Sequence, residues 1–141
     1  MTKLTGRVGL IASLALILLA TAFAGVAYAK IIGGTNEADR LEGTSEADQI
    51  AGYNAADTIW GRAGGDDLWG AGQSDEIYGE RGADIVDGGT GYDFLYGGPG
   101  NDDMHAADGQ DDEIYCGEGY DRAFGDQDGD WFAESCEQVI F

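Results

Sequence analysis

Twelve aspartates hold most of the chemistry available to this chain. Asp39, Asp48, Asp57, Asp66, Asp75, Asp84, Asp93, Asp102 and Asp111 stand nine residues apart; the register slips by one to Asp112 and resumes with Asp121 and Asp130. A carboxylate is a hard anionic oxygen, and glycine-rich turns beside it expose backbone carbonyls. Calcium takes about six to eight such oxygens in a tolerant geometry. One turn supplies about half of that set, so turns one coil apart must share an ion, pairing Asp39 with Asp57, Asp48 with Asp66 and onward in steps of two units.

Catalysis has weaker footing. The only histidine, His105, falls on an outward position, and Ser45, Ser74 and Ser135 have no base in register with them. Carboxylates recurring in every unit make a ligand lattice, whereas an enzyme needs one distinguished acid and base; the chain is therefore expected not to be an enzyme. Asp126, Asp128, Asp130 and Glu137 fall at the carboxylate places of an EF-hand loop, but Trp131 stands where that loop needs glycine. No glycine triplet opens a helix and no G-K-[ST] occurs, so nucleotide binding is unsupported.

The elements that must position these aspartates are set by the same period. Two residues after each, Asp111 excepted, stands an apolar residue: Leu41, Ile50, Ile59, Leu68, Ile77, Val86, Leu95, Met104, Ile114, Ala123 and Phe132. Eleven units span Gly34 to Ala133, 100 residues, or eleven nines plus one insertion. A fixed short period signals a solenoid whose units bury their faces only by stacking. Each unit offers three residues of strand character around the apolar one and then a six-residue turn. Alternation sends the eighth position inward and the seventh and ninth outward. With a coil of two units, residues 18 apart stack, giving an outer ladder of Trp60, Tyr78, Tyr96 and Tyr115, and opposite it Trp69, Asp87, His105 and Phe124. Lys30 to Gly33 is a cap in which Ile31 and Ile32 cover the N-terminal end; residues 134–141 close the other.

Charge and address narrow the partners. The formal charge is −20; residues 1–29 contain Lys3 and Arg7 and no acid, so their removal leaves −22 on 112 residues. Such a chain repels nucleic acids and anionic membranes and attracts cations. Rich in Gly and Asp and poor in bulky aliphatics, it cannot offset chain entropy by apolar burial alone. Lys3 and Arg7, the uncharged run from Val8 to Ala29 and the ending Ala27-Tyr28-Ala29 form the pattern of a secretory signal peptide, with cleavage expected after Ala29 and the repeats outside the cytoplasm. An uncleaved membrane anchor is the other reading of that run. In an exported chain Cys116 and Cys136 read first as a disulfide, with a free-thiol pair or a metal site as alternatives.

These residues resemble the RTX, or haemolysin-type, calcium-binding nonapeptide repeats of pattern G-G-x-G-x-D-x-U-x. Gly97, Gly98, Gly100, Asp102 and Met104 match every fixed place, as do Gly88, Gly89, Gly91, Asp93 and Leu95. The resemblance implies an all-β, right-handed parallel β-roll (a β-solenoid) of about eleven repeats behind a signal-peptide helix. It also implies rows of several Ca2+ ions held by the aspartates and by backbone carbonyls near Gly79, Gly88, Gly89, Gly91, Gly97, Gly98 and Gly100. The ending from Cys116 to Val139 is similar to the closing segment of exported members, which supports the disulfide. Glu37, Glu46, Ala55, Gln73 and Asp128 replace the fourth glycine, Ala106 and Ala107 the first pair, and the Asp111–Asp112 insertion is expected to bulge one coil. Calcium is therefore expected to be held best between Asp84 and Asp102 and between Asp75 and Asp93, and less well at the N-terminal end and near residues 106–112, where the register slips. The functional expectation is a secreted calcium-binding protein that folds on meeting external calcium and serves as a structural or adhesive module. Its ladder would offer a glycan or cell surface a partner, and its ends would allow self-association. The alternative is a detached calcium-binding accessory module of a secreted hydrolase or toxin-like protein.

Overall fold

Strict alternation of inward and outward residues makes each unit a short strand, and the turn between units reverses the chain so that consecutive strands face each other. The computed structural model describes residues 28–127 and 129–141. The expected signal-peptide helix falls outside the described residues. Thirteen strands follow in order: β1 Ile31–Gly33, β2 Arg40–Glu42, β3 Gln49–Asn54, β4 Thr58–Ala63, β5 Asp67–Gly72, β6 Glu76–Arg81, β7 Ile85–Thr90, β8 Phe94–Pro99, β9 Asp103–His105, β10 Glu113–Glu118, β11 Arg122–Phe124, β12 Trp131–Phe132 and β13 Gln138–Ile140. Odd-numbered strands form one seven-stranded sheet and even-numbered strands a six-stranded one, in each case paired in parallel. Ile50 pairs with Leu68 and Ile59 with Ile77, 18 residues on, so one coil is two units long. The architecture is an all-β parallel solenoid of about six turns.

The core is a single column. Ile50, Ile59, Leu68, Ile77, Val86, Leu95, Met104, Ile114 and Ala123 are fully buried, and Ile32 and Phe132 pack on its two ends. Ile31, expected to help cover the N-terminal end, is instead 83% exposed. Because Ile32 pairs with Ile50 in register, its neighbour Ile31 falls beside outward-facing Gln49.

The strands are longer than the three residues expected. β3 to β8 and β10 have six residues each, and between β4 and β5 the turn shrinks to Gly64, Gly65 and Asp66. Pairing continues because the residues after the apolar one also stack on their counterparts a coil away, Tyr53 on Ala71 and Arg62 on Glu80. The chain bends there through left-handed backbone. Tyr53, Arg62, Ala71 and Glu80 at the second place and Ala55 and Gln73 at the fourth have φ between 70° and 108°. Each costs of order 1–2 kcal/mol relative to glycine, which adopts such φ freely.

The inserted residue leaves both sheets intact. Leu95 pairs with Ile114 and Met104 with Ala123, 19 residues on. The extra length is taken up in the turn at 106–112, where Gly109 faces open space, so the expected bulge is one of the turn and not of a strand. At the C-terminal end the last coil is short, Ala123 pairing with Val139, and Phe141 packs edge-on against Phe132. The expected disulfide between Cys116 and Cys136 is present, Cα to Cα 5.1 Å, closing the final coil. By chain entropy such a closure contributes about 3 kcal/mol.

At the fourth place coils lie backbone on backbone: a Cβ on Gly82 would fall 1.3 Å from the carbonyl oxygen of Gly64. Gly82→Ala is expected to lower stability by at least about 3 kcal/mol in urea unfolding in millimolar calcium. Ala71→Gly, which relieves a left-handed alanine, is expected to be neutral or stabilising by up to about 1 kcal/mol.

Candidate metal centre

The alternation that buries the apolar eighth position also buries the places two before and two after it. The sixth place is the aspartate, and the place after the ninth is the first residue of the next unit. Asp48, Asp57, Asp66, Asp75, Asp84, Asp93, Asp102, Asp112 and Asp121 all lie in the interior, each at most 3% exposed. Beside them sit the buried first-place residues: Gly52, Gly61, Gly70, Gly79, Gly88 and Gly97, then Ala106 and Cys116. Two columns of carboxylates thus flank the apolar column, one at each bend of the coil.

Each carboxylate is tied to the coil before it. The backbone N–H of Asp48 donates to Oδ1 of Asp66 at 2.7 Å, that of Asp66 to Asp84 at 2.8 Å, and that of Asp84 to Asp102 at 2.9 Å. In the other column Asp39 donates to Asp57, Asp57 to Asp75, Asp75 to Asp93 and Asp93 to Asp112, all at 2.7–2.8 Å. Lys30 N–H begins one column on Asp48, and Oε2 of Glu137 ends it by accepting from Asp121 N–H. Aspartates one coil apart are thus joined by a backbone N–H to carboxylate hydrogen bond.

The second carboxylate oxygen has no such partner. Oδ2 of Asp57, Asp66, Asp75, Asp84, Asp93, Asp102, Asp112 and Asp121 is buried with no hydrogen-bond donor. In the units of Asp57 to Asp102 it sits in front of the first-place glycine, in space that a side chain would fill; in the units of Asp112 and Asp121 that place is taken by Ala106 and Cys116. A Cβ on Gly79 would meet both Asp84 Oδ2 and Gly97 O at 2.6 Å, and one on Gly70 would meet Asp75 Oδ2 at 2.3 Å and Gly88 O at 2.5 Å. On Gly97 the two oxygens are Asp102 Oδ2 and Cys116 O. Acceptor converges on acceptor, so only a proton or a cation can satisfy the pair. Burial pushes these carboxyls up against the opposing effect of the donated N–H, to about 6 for Asp66 and Asp93 and about 7 for Asp75, Asp102 and Asp112. Asp84 and Asp121 move up for the same reason.

The donors are hard oxygens, which suits calcium, and they are not carboxylates alone. Among the described residues no three or more of His, Cys, Asp and Glu cluster closely enough to hold an ion. The remaining oxygens must come from backbone carbonyls, of which Gly79 O, Gly88 O and Gly97 O lie beside an unpaired carboxylate one coil earlier. Gly98 O faces Gly117 and Gly100 O faces Gly119. Gly89 and Gly91 take the left-handed turn conformation, with φ of 89° and 146°.

Three aspartates in the repeat differ from the rest. Asp111 is exposed and Asp112 takes the buried place; Asp112 N–H donates to Asp130 Oδ1. Asp39 and Asp130 are only partly buried at the two ends. The inward first-place residue was not anticipated, although continuing the alternation two places beyond the apolar residue identifies it. Outside, Tyr78 stacks on Tyr96 and Tyr96 on Tyr115, ring centroids 4.8 and 4.7 Å apart, with Trp60 at one end and Trp131 tilted at the other. On the opposite sheet His105 stacks on Phe124.

Three overlapping stretches of the chain, residues 33–68, 60–95 and 78–113, match the family model of the RTX calcium-binding nonapeptide repeat, four copies at a time. Together they span residues 33–113, more than half of the chain. No curated protein and no solved structure gives a match.

The raised carboxyls set a pH dependence for the metal-free chain. Protons bind the folded state more tightly than the unfolded one, so their stabilisation is complete below about pH 4 and is lost as pH rises through 6 to 7. In chelator, the β-sheet circular dichroism is expected to be strongest near pH 4 and to fall between pH 5 and 7; a signal constant over that range would contradict the burial of these groups.

Proposed function

The chain belongs to the family of RTX calcium-binding nonapeptide repeats, and we propose that it is a secreted module which assembles its roll as it takes up calcium outside the cytoplasm. Repeats of this family bind Ca2+, and the roll is a calcium-binding structural module. The observation that carries the proposal is the row of buried carboxylate oxygens without donors, Asp57 to Asp121. Bound calcium supplies the positive charge that these oxygens and their neighbouring carbonyls lack. The chain's own part is to hold them there: an N–H from the preceding coil fixes each Oδ1, and the first-place glycine leaves room for Oδ2. Asp57, Asp66, Asp75, Asp84, Asp93, Asp102, Asp112 and Asp121 are the carboxylates assigned to calcium.

Secretion is supported by the basic, apolar and A-x-A pattern of residues 1–29. Millimolar external calcium would then supply folding free energy by mass action. A structural role is also the use best supported for the outer ladder. Its ring faces lie against one another, which leaves edges for solvent and gives sugars no free face to stack on, and the hydroxyls of Tyr78 and Tyr115 donate to Glu76 and Glu113. A glycan or cell-surface partner of Trp60, Tyr78, Tyr96 and Tyr115 would have to use those edges.

Titrating calcium into the chelated protein at pH 7.5 is expected to convert a coil spectrum to a β-sheet spectrum cooperatively. Asp84→Asn is expected to raise the midpoint about tenfold, roughly 1.4 kcal/mol. A chelated chain already folded at that pH, with no response to calcium, would refute the proposal.

A further inference from the structure

Not every turn presents the same oxygen. In the first unit Oδ2 of Asp39 accepts from Thr35 N–H at 2.6 Å and from Thr35 Oγ1 at 2.9 Å; in the second, Oδ2 of Asp48 accepts from Thr44 N–H at 2.5 Å and from Thr44 Oγ1 at 2.9 Å. In the last unit Oδ2 of Asp130 accepts from Asp126 N–H at 2.5 Å. Eight aspartates between these ends have none of these donors.

The backbone divides the units in the same way. Tyr53, Arg62, Ala71, Glu80, Gly89, Gly98 and Gly117 at the second place all have φ between 70° and 114°, and the aspartate of each of their units has an unpaired Oδ2. Thr35, Thr44 and Asp126 at the same place have no such φ, and their N–H groups donate to Oδ2. The unit beginning at Ala106 is the one exception, with Asp112 Oδ2 unpaired although Ala107 is not left-handed.

The surroundings of Oδ2 are otherwise alike. A Cβ on Gly43 would meet Gly61 O at 2.3 Å and Asp48 Oδ2 at 2.8 Å, the same convergence of carboxylate and carbonyl found on Gly79. A cation at Asp48 would have to displace two protein donors from the oxygen it needs, whereas at Asp84 it displaces none. A hydroxyl and an amide held within one turn of the chain cost less to order than an ion drawn from solution.

We propose that Thr35 and Thr44 stand in for the cation in the first two turns, so that calcium enters the roll from the Asp57 turn onward and the N-terminal coil is closed without metal. The proposal rests on the calcium-binding reading above and deepens it by separating turns that take the ion from turns that exclude it. It makes the second-place residue the determinant: a left-handed second residue leaves Oδ2 to calcium, and a threonine without that φ occupies it.

Native mass spectrometry of the full chain from residue 30 at saturating calcium, with circular dichroism to confirm folding, tests this by counting bound ions. Asp48→Asn is expected to keep the parent's count and Asp84→Asn to lose at least one ion. The double variant Thr44→Gly with Glu46→Gly, which gives the second unit the glycines of the Gly88 to Asp93 turn, is expected to gain an ion. Loss of an ion in Asp48→Asn, or no gain in a folded double variant, would overturn the proposal. If Asp84→Asn loses nothing either, the assignment of the buried carboxylates to calcium fails, and this proposal with it. Should the double variant not fold, the contrast between Asp48→Asn and Asp84→Asn still decides.

Discussion

Everything in this roll depends on a buried carboxylate with one oxygen satisfied and one not. An ionised carboxylate taken from water without a partner costs several kcal/mol even after relaxation. The repeat inserts one such group at each bend, in two columns, within a chain of net charge −20. The donated N–H from the preceding coil offsets part of that cost for Oδ1. The remainder must be met by a proton or a cation, and the cation whose hardness suits these oxygens is calcium. Folding and metal binding therefore share one free energy.

The same geometry explains why the sequence can be so poor in large apolar residues. Each unit contributes one apolar side chain to a column one residue wide, from Leu41 to Phe132. Its inward neighbours are an aspartate and a residue no larger than glycine, alanine or cysteine. A wider first-place side chain would strike both Oδ2 and the carbonyl of the next coil. Narrowness makes the coil depend on its neighbours alone, as in other solenoids. A local irregularity is then settled locally: the extra residue before Asp112 changes a turn and leaves the pairing of Leu95 with Ile114 untouched. The ends need separate treatment because each lacks a neighbour. Here Thr35, Thr44 and Lys30 supply donors at one end, and Glu137, the disulfide and Phe141 close the other.

The period of nine, the inward column, the two-unit coil and the aspartate rows are all legible in the sequence, because a repeat forces one answer on every unit at once. Residue types carry that information without any contact having to be known. The count of nine from Asp102 reaches Asp111, but the apolar residue two places on, Ile114, already favours Asp112, and the pairing of Glu113 with Phe94 places Asp112 in the row. Strand length is not legible in the sequence: the residues after the apolar one look like turn by composition, and their pairing exists only between coils. Hydrophobicity alone puts Ile31 inside, yet a strand alternates and its partner Gln49 faces out.

By itself the sequence determined the fold class, the ligand type and the positions in each unit where that ligand must lie, since periodicity and hard oxygen donors are properties of the chain read one residue at a time. The tertiary structure alone decided how each oxygen is satisfied. Thr44 and Arg62 occupy the same place in units one coil apart, and nothing in their order along the chain shows that one donates to its aspartate while the other turns left-handed and leaves it bare. That difference arises from backbone conformation against the neighbouring coil, 18 residues away, and so appears only once the coils are stacked.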